Sequence, residues 1–317
     1  MKVLNGYRDV ARVLVDPVLA IGIFDGVHLG HRKVIGRMMN SSSGRDKAIL
    51  TFDPHPTAVL RPHMAPPRIM SLSHRLRLFE LMGLDAAVVL RFSDHIAGMS
   101  PEDFVEKVIV EGIGSQRVFV GANFNFGKDG SGNTTKFRKI GKNNGVAVDV
   151  VAPVKRAGRI VSSTWVRELV AKGKIKEAEK LLSRPVSVLG TVVSGDSIGR
   201  VIGVPTANID PHHEVIPPVG VYAVRVDMAE GVFPGVLNMG YKPTFYGRSR
   251  KREEPVIETH LIGYDGDLYG RDIEVFFVKK LRSEKRFATH EKLKVQIEKD
   301  IKDALNASRT FLRKTIH

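Results

Sequence analysis

The chain has 317 residues, more than the roughly 150 typical of one domain, and its length therefore predicts two compact units. Hydrophobic residues make up 43% of it and charged residues 26%, a balance that excludes a largely disordered chain. The net charge is +15, and residues 1–183 carry 28 Lys and Arg against 17 Asp and Glu, compared with 21 against 17 in residues 184–317. Such a surplus attracts anions, but charge alone leaves nucleic acid, acidic membrane and nucleoside phosphates open.

The absence of cysteine limits the chemistry of the chain. It excludes a disulfide framework, a thiolate nucleophile and Cys-based metal sites, and it fits a reducing cytoplasm. The apolar stretch Val13–Phe24 is interrupted by Asp16 and Pro17, is too short to span a bilayer and lacks a secretory cleavage pattern. We therefore expect a cytoplasmic protein with no membrane association.

Strand and helix patterns alternate in the first half. The apolar run Val18–Phe24 ends in Asp25-Gly26, and helical spacing begins at Gly30. Alternation of this kind predicts an α/β domain with a parallel sheet covered on both faces, assigned to residues 1–183. The further predicted strands are Ala48–Phe52, Ala86–Leu90, Val118–Val120 and Val146–Val151, and the further predicted helices are Leu72–Met82, Pro101–Val110, Trp165–Val170 and Ile175–Leu182.

After Arg184-Pro185 the pattern changes to short strand-like runs separated by Gly, Pro, Asp and His. This predicts a small antiparallel β-barrel over residues 184–317, followed by a carboxy-terminal helix at Thr289–Leu312. The charged run Arg248–Glu254 is predicted to be a loop. The predicted strands are Val186–Val193, Gly220–Val226, Phe233–Asn238, Val256–Ile262 and Ile273–Val278.

The segment Gly22–His31 places two histidines, His28 and His31, three residues apart just after a strand. At the mouth of a parallel sheet, backbone N–H groups and imidazoles in this arrangement converge where a polyphosphate would bind. Gly30 between them allows a close backbone approach. An isolated pattern of this kind is equally compatible with a structural turn.

This segment carries the HxGH signature of the nucleotidyltransferase superfamily, and its flanks resemble the FMN adenylyltransferase module of bacterial bifunctional flavokinase/FAD synthetases. The resemblance continues in family order through residues 51–56, 121–127 and 162–167. It implies a Rossmann-like nucleotidyltransferase domain that joins FMN to the AMP part of ATP, giving FAD and pyrophosphate.

The resemblance also implies roles for individual residues of the first half. His28 and His31 are expected to be catalytic, while His55, Asn123 and Asn125 are expected near flavin or nucleotide unless they only cap turns. Asn125 stands where many relatives carry Arg, and this departure puts ligand affinity in doubt. The expected ATP-binding residues are Phe24, Gly26, His28, Gly30, His31, Ser163, Thr164 and Arg167.

The second informative segment is Gly199–Asn208, which ends in Pro205-Thr206-Ala207-Asn208. On an extended segment Thr206 and Asn208 project to the same side, so a hydroxyl and an amide oxygen can share one hard cation, as Mg²⁺ on ATP requires. The tetrapeptide alone is also typical of an ordinary turn.

The tetrapeptide matches the PTAN signature of riboflavin kinases, which are small Greek-key barrels, and the match continues through Glu258-Thr259-His260-Leu261. By this resemblance Glu258 is the general base that activates the ribityl hydroxyl for attack on the γ-phosphate of ATP. A barrel salt bridge is the alternative role for Glu258.

Thr206 and Asn208 are the expected Mg²⁺ ligands. The resemblance implies that ATP and flavin contact Gly195, Gly199, Arg200, Pro205, Thr206, Asn208, Tyr222, Asn238 and Arg282.

The sequence thus predicts one enzyme that converts riboflavin to FMN and FMN to FAD with ATP and Mg²⁺. One alternative retains a single active site, because Asn125 or Val204, which stands where relatives usually have Phe, impairs the other. A second alternative is a basic nucleic-acid-binding protein, against which the intact polar motif residues argue. Small-molecule substrates are the expected partners, no nucleic-acid partner is expected, and self-association is possible.

Overall fold

The computed structural model describes residues 1–194, 204–212, 215–241, 255–285 and 287–315. The chain divides into two compact units, residues 1–166 and 167–317. The predicted run Arg248–Glu254 lies outside the described residues. The predicted domain boundary between residues 183 and 184 stays a prediction.

The first unit is built on a six-stranded sheet in which every strand pairs parallel to its neighbours, in the order β1-β4-β3-β2-β5-β6. The predicted α/β fold is therefore confirmed. Its strands are β1 (Lys2–Asn5), β2 (Val18–Ile21), β3 (Lys47–Asp53), β4 (Ala86–Arg91), β5 (Arg117–Gly121) and β6 (Ala147–Val151), with a separate hairpin of β7 (Lys155–Arg156) and β8 (Arg159–Ile160).

The strand order reverses direction at β2. From β2 the chain adds β3 and then β4 on one side, and it returns to place β5 on the other side. Ligands of open parallel sheets bind at the carboxyl ends of strands where the order reverses in this way. The loops after β2 and β5, residues 22–28 and 122–133, leave the sheet at this point.

Helices connect the parallel strands of this unit. The segment Pro101–Asp103 continues without a break as a π-helix, Phe104–Ile113. The α-helices are α1 (Leu29–Met39), α2 (Pro56–Leu60), α3 (Leu72–Leu81), α4 (Asp94–Ala97), α5 (Pro101–Asp103) and α6 (Thr134–Asn143), and α7 (Ser163–Ala171) crosses the division between the units.

The second unit contains a closed barrel in the order β10-β13-β12-β11-β14-β9, with all of these pairs antiparallel. The barrel prediction is confirmed. Its strands are β9 (Ser187–Val193), β10 (Ala207–Asp210), β11 (Gly220–Met228), β12 (Gly231–Tyr241), β13 (Pro255–Leu261) and β14 (Asp272–Arg282), and its helices are α8 (Ile175–Leu182) and α9 (His290–Thr315).

The carboxy-terminal helix α9 packs on the outside of the barrel. Ala304 is fully buried in a cluster with Val221, Val236 and Val278 from three strands. Within the part of the chain that the structure describes, no helix combines the length and apolar content needed to cross a bilayer.

Candidate active sites

The loop between β2 and α1 has an unusual backbone. Phe24, Gly26 and Val27 have φ values of 54°, 83° and 41°, all in the left-handed region. For a residue with a side chain this conformation costs roughly 1–3 kcal/mol and persists only where the surroundings enforce it. The predicted strand Val18–Phe24 accordingly ends at Ile21, because Phe24 leaves the extended conformation.

The buried carboxylate of Asp25 fixes this loop. Its oxygens accept the backbone N–H of Ile69 at 3.0 and 3.1 Å and that of Met70 at 3.1 Å. The carbonyl of Asp25 accepts a hydrogen bond from Ser163 Oγ at 2.8 Å. The beginning of α7, which carries the predicted ATP-binding residues Ser163, Thr164 and Arg167, is therefore attached to the loop before His28. Asp25 was not among the predicted site residues, since only the folded backbone reveals its partners.

His28 caps the amino terminus of α1. Its Nδ1 accepts the backbone N–H of Gly30 at 3.1 Å and that of His31 at 3.3 Å. Because Nδ1 is an acceptor, the proton of the neutral ring lies on Nε2, which is then a hydrogen-bond donor. His28 as a whole is 5% exposed. A donor at a helix amino terminus, where unpaired N–H groups and the helix dipole also favour negative charge, suits a phosphate oxygen.

His31 lies directly against His28. The two imidazole rings stack with centroids 3.7 Å apart and planes 17° apart, and the Phe24 ring meets His31 edge-on at 5.3 Å. The structure thus brings three of the predicted residues together.

Gly30 makes room for this arrangement. A Cβ at this position would lie 3.0 Å from His28 Cε1 and 3.2 Å from His28 Nδ1. Contacts this tight would require the His28 ring to shift by a few tenths of an ångström, so the glycine leaves the ring in its place over the helix terminus.

The other predicted residues of the first site lie in three segments. His55 caps α2 directly after β3, and its Nδ1 accepts the N–H of Thr57 at 3.1 Å. Asn123 and Asn125 are exposed in the loop after β5, where Asn125 Nδ2 donates to the Asn123 carbonyl at 3.3 Å. Thr164 is exposed on α7 and Arg167 follows Ser163 by one turn of that helix. The His55 segment follows β3 and the Asn123–Asn125 segment follows β5. Because both strands are parallel to β2, these two segments lie at the same edge of the sheet as His28.

In the barrel, strand register aligns three polar residues of the second predicted site. Asn208 on β10 pairs with Glu258 on β13, which pairs on its other side with Asn238 on β12. Side chains of directly paired residues share one face of a sheet with Cβ atoms roughly 4.5–5.5 Å apart. The neighbouring Thr259 alternates to the opposite face and is fully buried, so the polar row lies on the outer face of the barrel.

A cavity of about 500 Å³ opens at the start of β10, lined in part by Pro205, Thr206, Thr259 and Tyr269. Its size is that of a pocket for a nucleotide-sized ligand. His260 Nδ1 donates to the Pro205 carbonyl at 2.8 Å, which holds the residue before Thr206 against β13.

Two further predicted residues have partners inside the protein. Tyr222 is buried, its hydroxyl donates to the Pro218 carbonyl, and burial raises the pKa of Tyr222 to about 12. The Arg282 guanidinium donates to both carboxylate oxygens of Asp300 at 2.8–3.1 Å, which joins β14 to α9. The predicted residues Gly195, Gly199 and Arg200 lie outside the described residues.

Two family models match the chain in succession. The FAD synthetase model matches residues 12–165, and the riboflavin kinase model matches residues 182–308. The bifunctional riboflavin kinase/FMN adenylyltransferase of Bacillus subtilis is 36% identical over 91% of this chain and 91% of its own length. The protein of the same description from Pseudomonas fluorescens is 36% identical over 95% of this chain and 96% of its own.

The chain belongs to the bifunctional riboflavin kinase/FMN adenylyltransferase family. It is a transferase of FMN and FAD biosynthesis, and the substrates and products of that family are riboflavin, FMN, FAD and ATP. The predicted family is therefore confirmed.

A solved structure supports the fold over the full length. A Streptococcus pneumoniae crystal structure described as a macrolide-efflux protein matches with a TM-score of 0.78, covering 96% of this chain and 99% of that one. Since the two sequences are 23% identical, this likeness concerns the fold alone.

Proposed function

We propose that the second unit phosphorylates riboflavin to FMN at the Asn208–Glu258 pair and that the first unit adenylylates FMN to FAD at the His28–His31 pair. The observation that carries the proposal is that the two predicted sets of polar residues fall in the ranges of two different family models. The His28–His31 pair lies in residues 1–166, and the Asn208–Glu258 pair lies in residues 167–317. We assign the kinase module to residues 184–317 and the adenylyltransferase module to residues 1–183.

In the adenylyltransferase reaction an FMN phosphate oxygen attacks the α-phosphorus of ATP, and pyrophosphate leaves. This chemistry needs charge neutralisation and alignment rather than a nucleophilic side chain. The Nε2–H of His28 and the ring of His31 would bind phosphate oxygens as charge shifts to the leaving group. Ser163, Thr164 and Arg167 would bind the same phosphates from α7, since the planar guanidinium of Arg matches phosphate oxygens.

The remaining residues of this site follow from their positions along the sheet edge. Phe24, Gly26 and Gly30 would shape the ATP-binding loop. His55, Asn123 and Asn125 would contact flavin or nucleotide from the loops after β3 and β5.

In the kinase reaction Glu258 would accept the proton of the terminal ribityl hydroxyl as the oxygen attacks the γ-phosphorus of ATP, with ADP leaving. A positioned base of this kind contributes about 10²–10⁴-fold to the rate. Asn238 and Asn208, which flank Glu258 in the register, would orient the hydroxyl and the nucleotide. Pro205 would shape the cavity at the start of β10, and we assign Gly195, Gly199, Arg200, Tyr222 and Arg282 to further nucleotide and flavin contacts.

Thr206 and Asn208 are the residues that would hold Mg²⁺. The hydroxyl and amide oxygens of these side chains are donors that suit this hard cation, and ATP phosphates and water usually complete its shell. Within the described ranges no three His, Asp or Glu side chains cluster as an all-protein metal site. When bound, the ion neutralises charge that develops on the phosphates.

Incubation of the pure chain with riboflavin, ATP and Mg²⁺, with flavins separated over time, tests the proposal. We expect FMN to appear first and FAD after it, because the kinase makes the substrate of the adenylyltransferase. FMN alone would favour a single active site, and neither product at any ATP concentration would overturn the proposal. The cytoplasmic location, the possible self-association and the lack of a nucleic-acid partner stay predictions from the sequence.

A further inference from the structure

Arg75 on α3 is an arginine buried beneath the His28 loop. Its side chain is 3% exposed, a rare state for arginine. Nη1 donates to the Ile23 carbonyl at 2.7 Å and to Thr51 Oγ1 at 3.0 Å, and Nη2 donates to Asp53 Oδ1 at 3.2 Å. One guanidinium therefore joins the loop after β2 to the carboxyl end of β3.

Acidic neighbours offset part of the cost of burying this charge. Desolvation lowers the pKa of Arg75 from its ordinary value, while the carboxylates of Asp53 and Asp25 act in the opposite direction. Arg68 also approaches Asp53, at 3.5 Å. Since an arginine stays protonated in proteins, the site holds a permanent buried cation.

The contact of Arg75 falls at the start of the strained loop. Ile23 immediately precedes Phe24, the first residue with positive φ, and Thr51 Oγ1 also donates to the Ile23 carbonyl at 3.1 Å. At the other side of Phe24 the Asp25 carboxylate accepts from Ile69 and Met70, which immediately precede Ser71, the amino-terminal cap of α3. The α3 region thus contacts the loop on both sides of Phe24, through Ile23 before it and Asp25 after it.

We propose that Arg75 is a positioning residue for adenylyl transfer, acting through the Ile23 carbonyl to fix the loop that presents His28 and His31 to the phosphates. This rests on the proposed adenylyltransferase function of the first unit. A guanidinium suits the task because its rigid fork binds a carbonyl, a hydroxyl and a carboxylate in one plane, which the single ammonium of lysine cannot do.

The test compares Arg75→Met and Arg75→Lys with Arg37→Met, a matched control at an exposed arginine near the end of α1. At saturating FMN we expect Arg75→Met to lower kcat for FAD formation by about 10- to 100-fold, because small displacements of catalytic groups have effects of this size. The KM for ATP should stay within about threefold, since the lost alignment acts mainly on the transition state. Arg75→Lys should recover part of the loss, and riboflavin phosphorylation should be unchanged in all three.

A second readout does not depend on activity. The imidazole ¹⁵N shifts of His28 report which ring nitrogen carries the proton and whether Nδ1 accepts a hydrogen bond. We expect these shifts to move in folded Arg75→Met and, to a smaller extent, in Arg75→Lys, but not in Arg37→Met. Should Arg75→Met fail to fold, Arg75→Lys carries the same two measurements.

An unchanged kcat together with unchanged His28 shifts in a folded Arg75 variant would overturn the proposal. If the unaltered chain makes no FAD, the proposed function fails, and the His28 shifts still decide whether Arg75 positions the loop. A loss confined to thermal stability, with both readouts normal, would make Arg75 a structural residue only.

Discussion

At the scale of single residues, His28 has two tasks that belong to different atoms of one ring. Nδ1 caps helix α1, and Nε2 is the atom that we assign to a phosphate oxygen of ATP. An alanine substitution would remove the helix cap and the ligand contact together, so it could not distinguish their effects. Asparagine separates them, because its side-chain oxygen is a good helix cap but it lacks the reach and the ring of the imidazole.

We expect His28→Asn to retain the stability of the first unit while FAD formation from FMN falls by about 30- to 1000-fold, equivalent to roughly 2–4 kcal/mol of transition-state stabilisation. Steady-state kinetics with supplied FMN measures the loss, and riboflavin phosphorylation by the same variant is the internal control. Full adenylylation by His28→Asn would mean that His28 only caps the helix.

Glu258 allows a comparable separation in the kinase site. Glu258→Gln keeps the size and most hydrogen bonding of the side chain but cannot accept the hydroxyl proton. Kinase turnover should fall by about 10²–10⁴-fold with a normal fold, while adenylylation of supplied FMN is unaffected. Asn208 pairs with Glu258 in the strand register. Asn208→Ala should lower kinase turnover and should also weaken Mg·ATP binding, which nucleotide titration measures. A Glu258→Gln enzyme with full turnover would leave Glu258 as a structural carboxylate.

At the scale of helices and strands, elements with a strong apolar pattern were predictable and polar or short ones were not. β3, β4 and β14 each contain a buried apolar run that the sequence displays. Helix α6 was missed because its buried positions, Phe137 and Ile140, lie among lysines and glycine. Strand β10 has only four residues and takes its conformation from pairing with β9 and β13, which no local pattern reveals.

The candidate sites divide in the same way. Motif order in the sequence names His28, His31, Asn208 and Glu258 as candidates, and their roles stay predictions, while the pairing of Asn208 with Glu258 comes from the strand register. Arg75 and Asp25 were not predictable, since a charged residue in a helix or loop is ordinarily solvated and only tertiary contacts show that these two are buried.

The ion pair between β14 and α9 has consequences for stability. Arg282 and Asp300 have side chains 15% and 4% exposed, and Gln296 also donates to Asp300 at 2.9 Å. Removing the charge of Asp300 leaves the Arg282 guanidinium without its main partner in a mostly buried position. Breaking such a pair from one side typically costs about 3–5 kcal/mol.

Asp300→Asn should therefore destabilise the second unit by an amount near the lower end of that range, since the amide keeps one hydrogen bond. Denaturant unfolding of the second unit measures this change in the free energy of unfolding. Asp303→Asn, at an exposed position of the same helix, is the matched control and should be close to neutral. Equal stabilities for the two variants would show that the α9 apolar cluster alone holds the helix on the barrel.

At the scale of the whole molecule, two modules with separate motif sets should be separable by truncation. The family model for riboflavin kinase begins at residue 182, but the compact second unit begins earlier, at Arg167. Helix α8 explains the difference, because Ile175 and Lys176 line a cavity of about 260 Å³ together with Tyr222, Phe277 and Lys280 of the barrel. The amino-terminal turn of α8 thus faces β11 and β14 across this cavity within the second unit.

We therefore expect a fragment of residues 172–317, which begins just after α7 and keeps α8, to be more stable than one of residues 184–317. A difference of 1 kcal/mol corresponds to roughly 2–8 °C in melting temperature for domains of this size, so calorimetry can resolve it. Both fragments should phosphorylate riboflavin and neither should adenylylate FMN, because the His28–His31 site is absent from both. Equal melting temperatures would mean that α8 adds nothing to the barrel. Loss of kinase activity in the folded longer fragment would contradict the assignment of that reaction to the second unit.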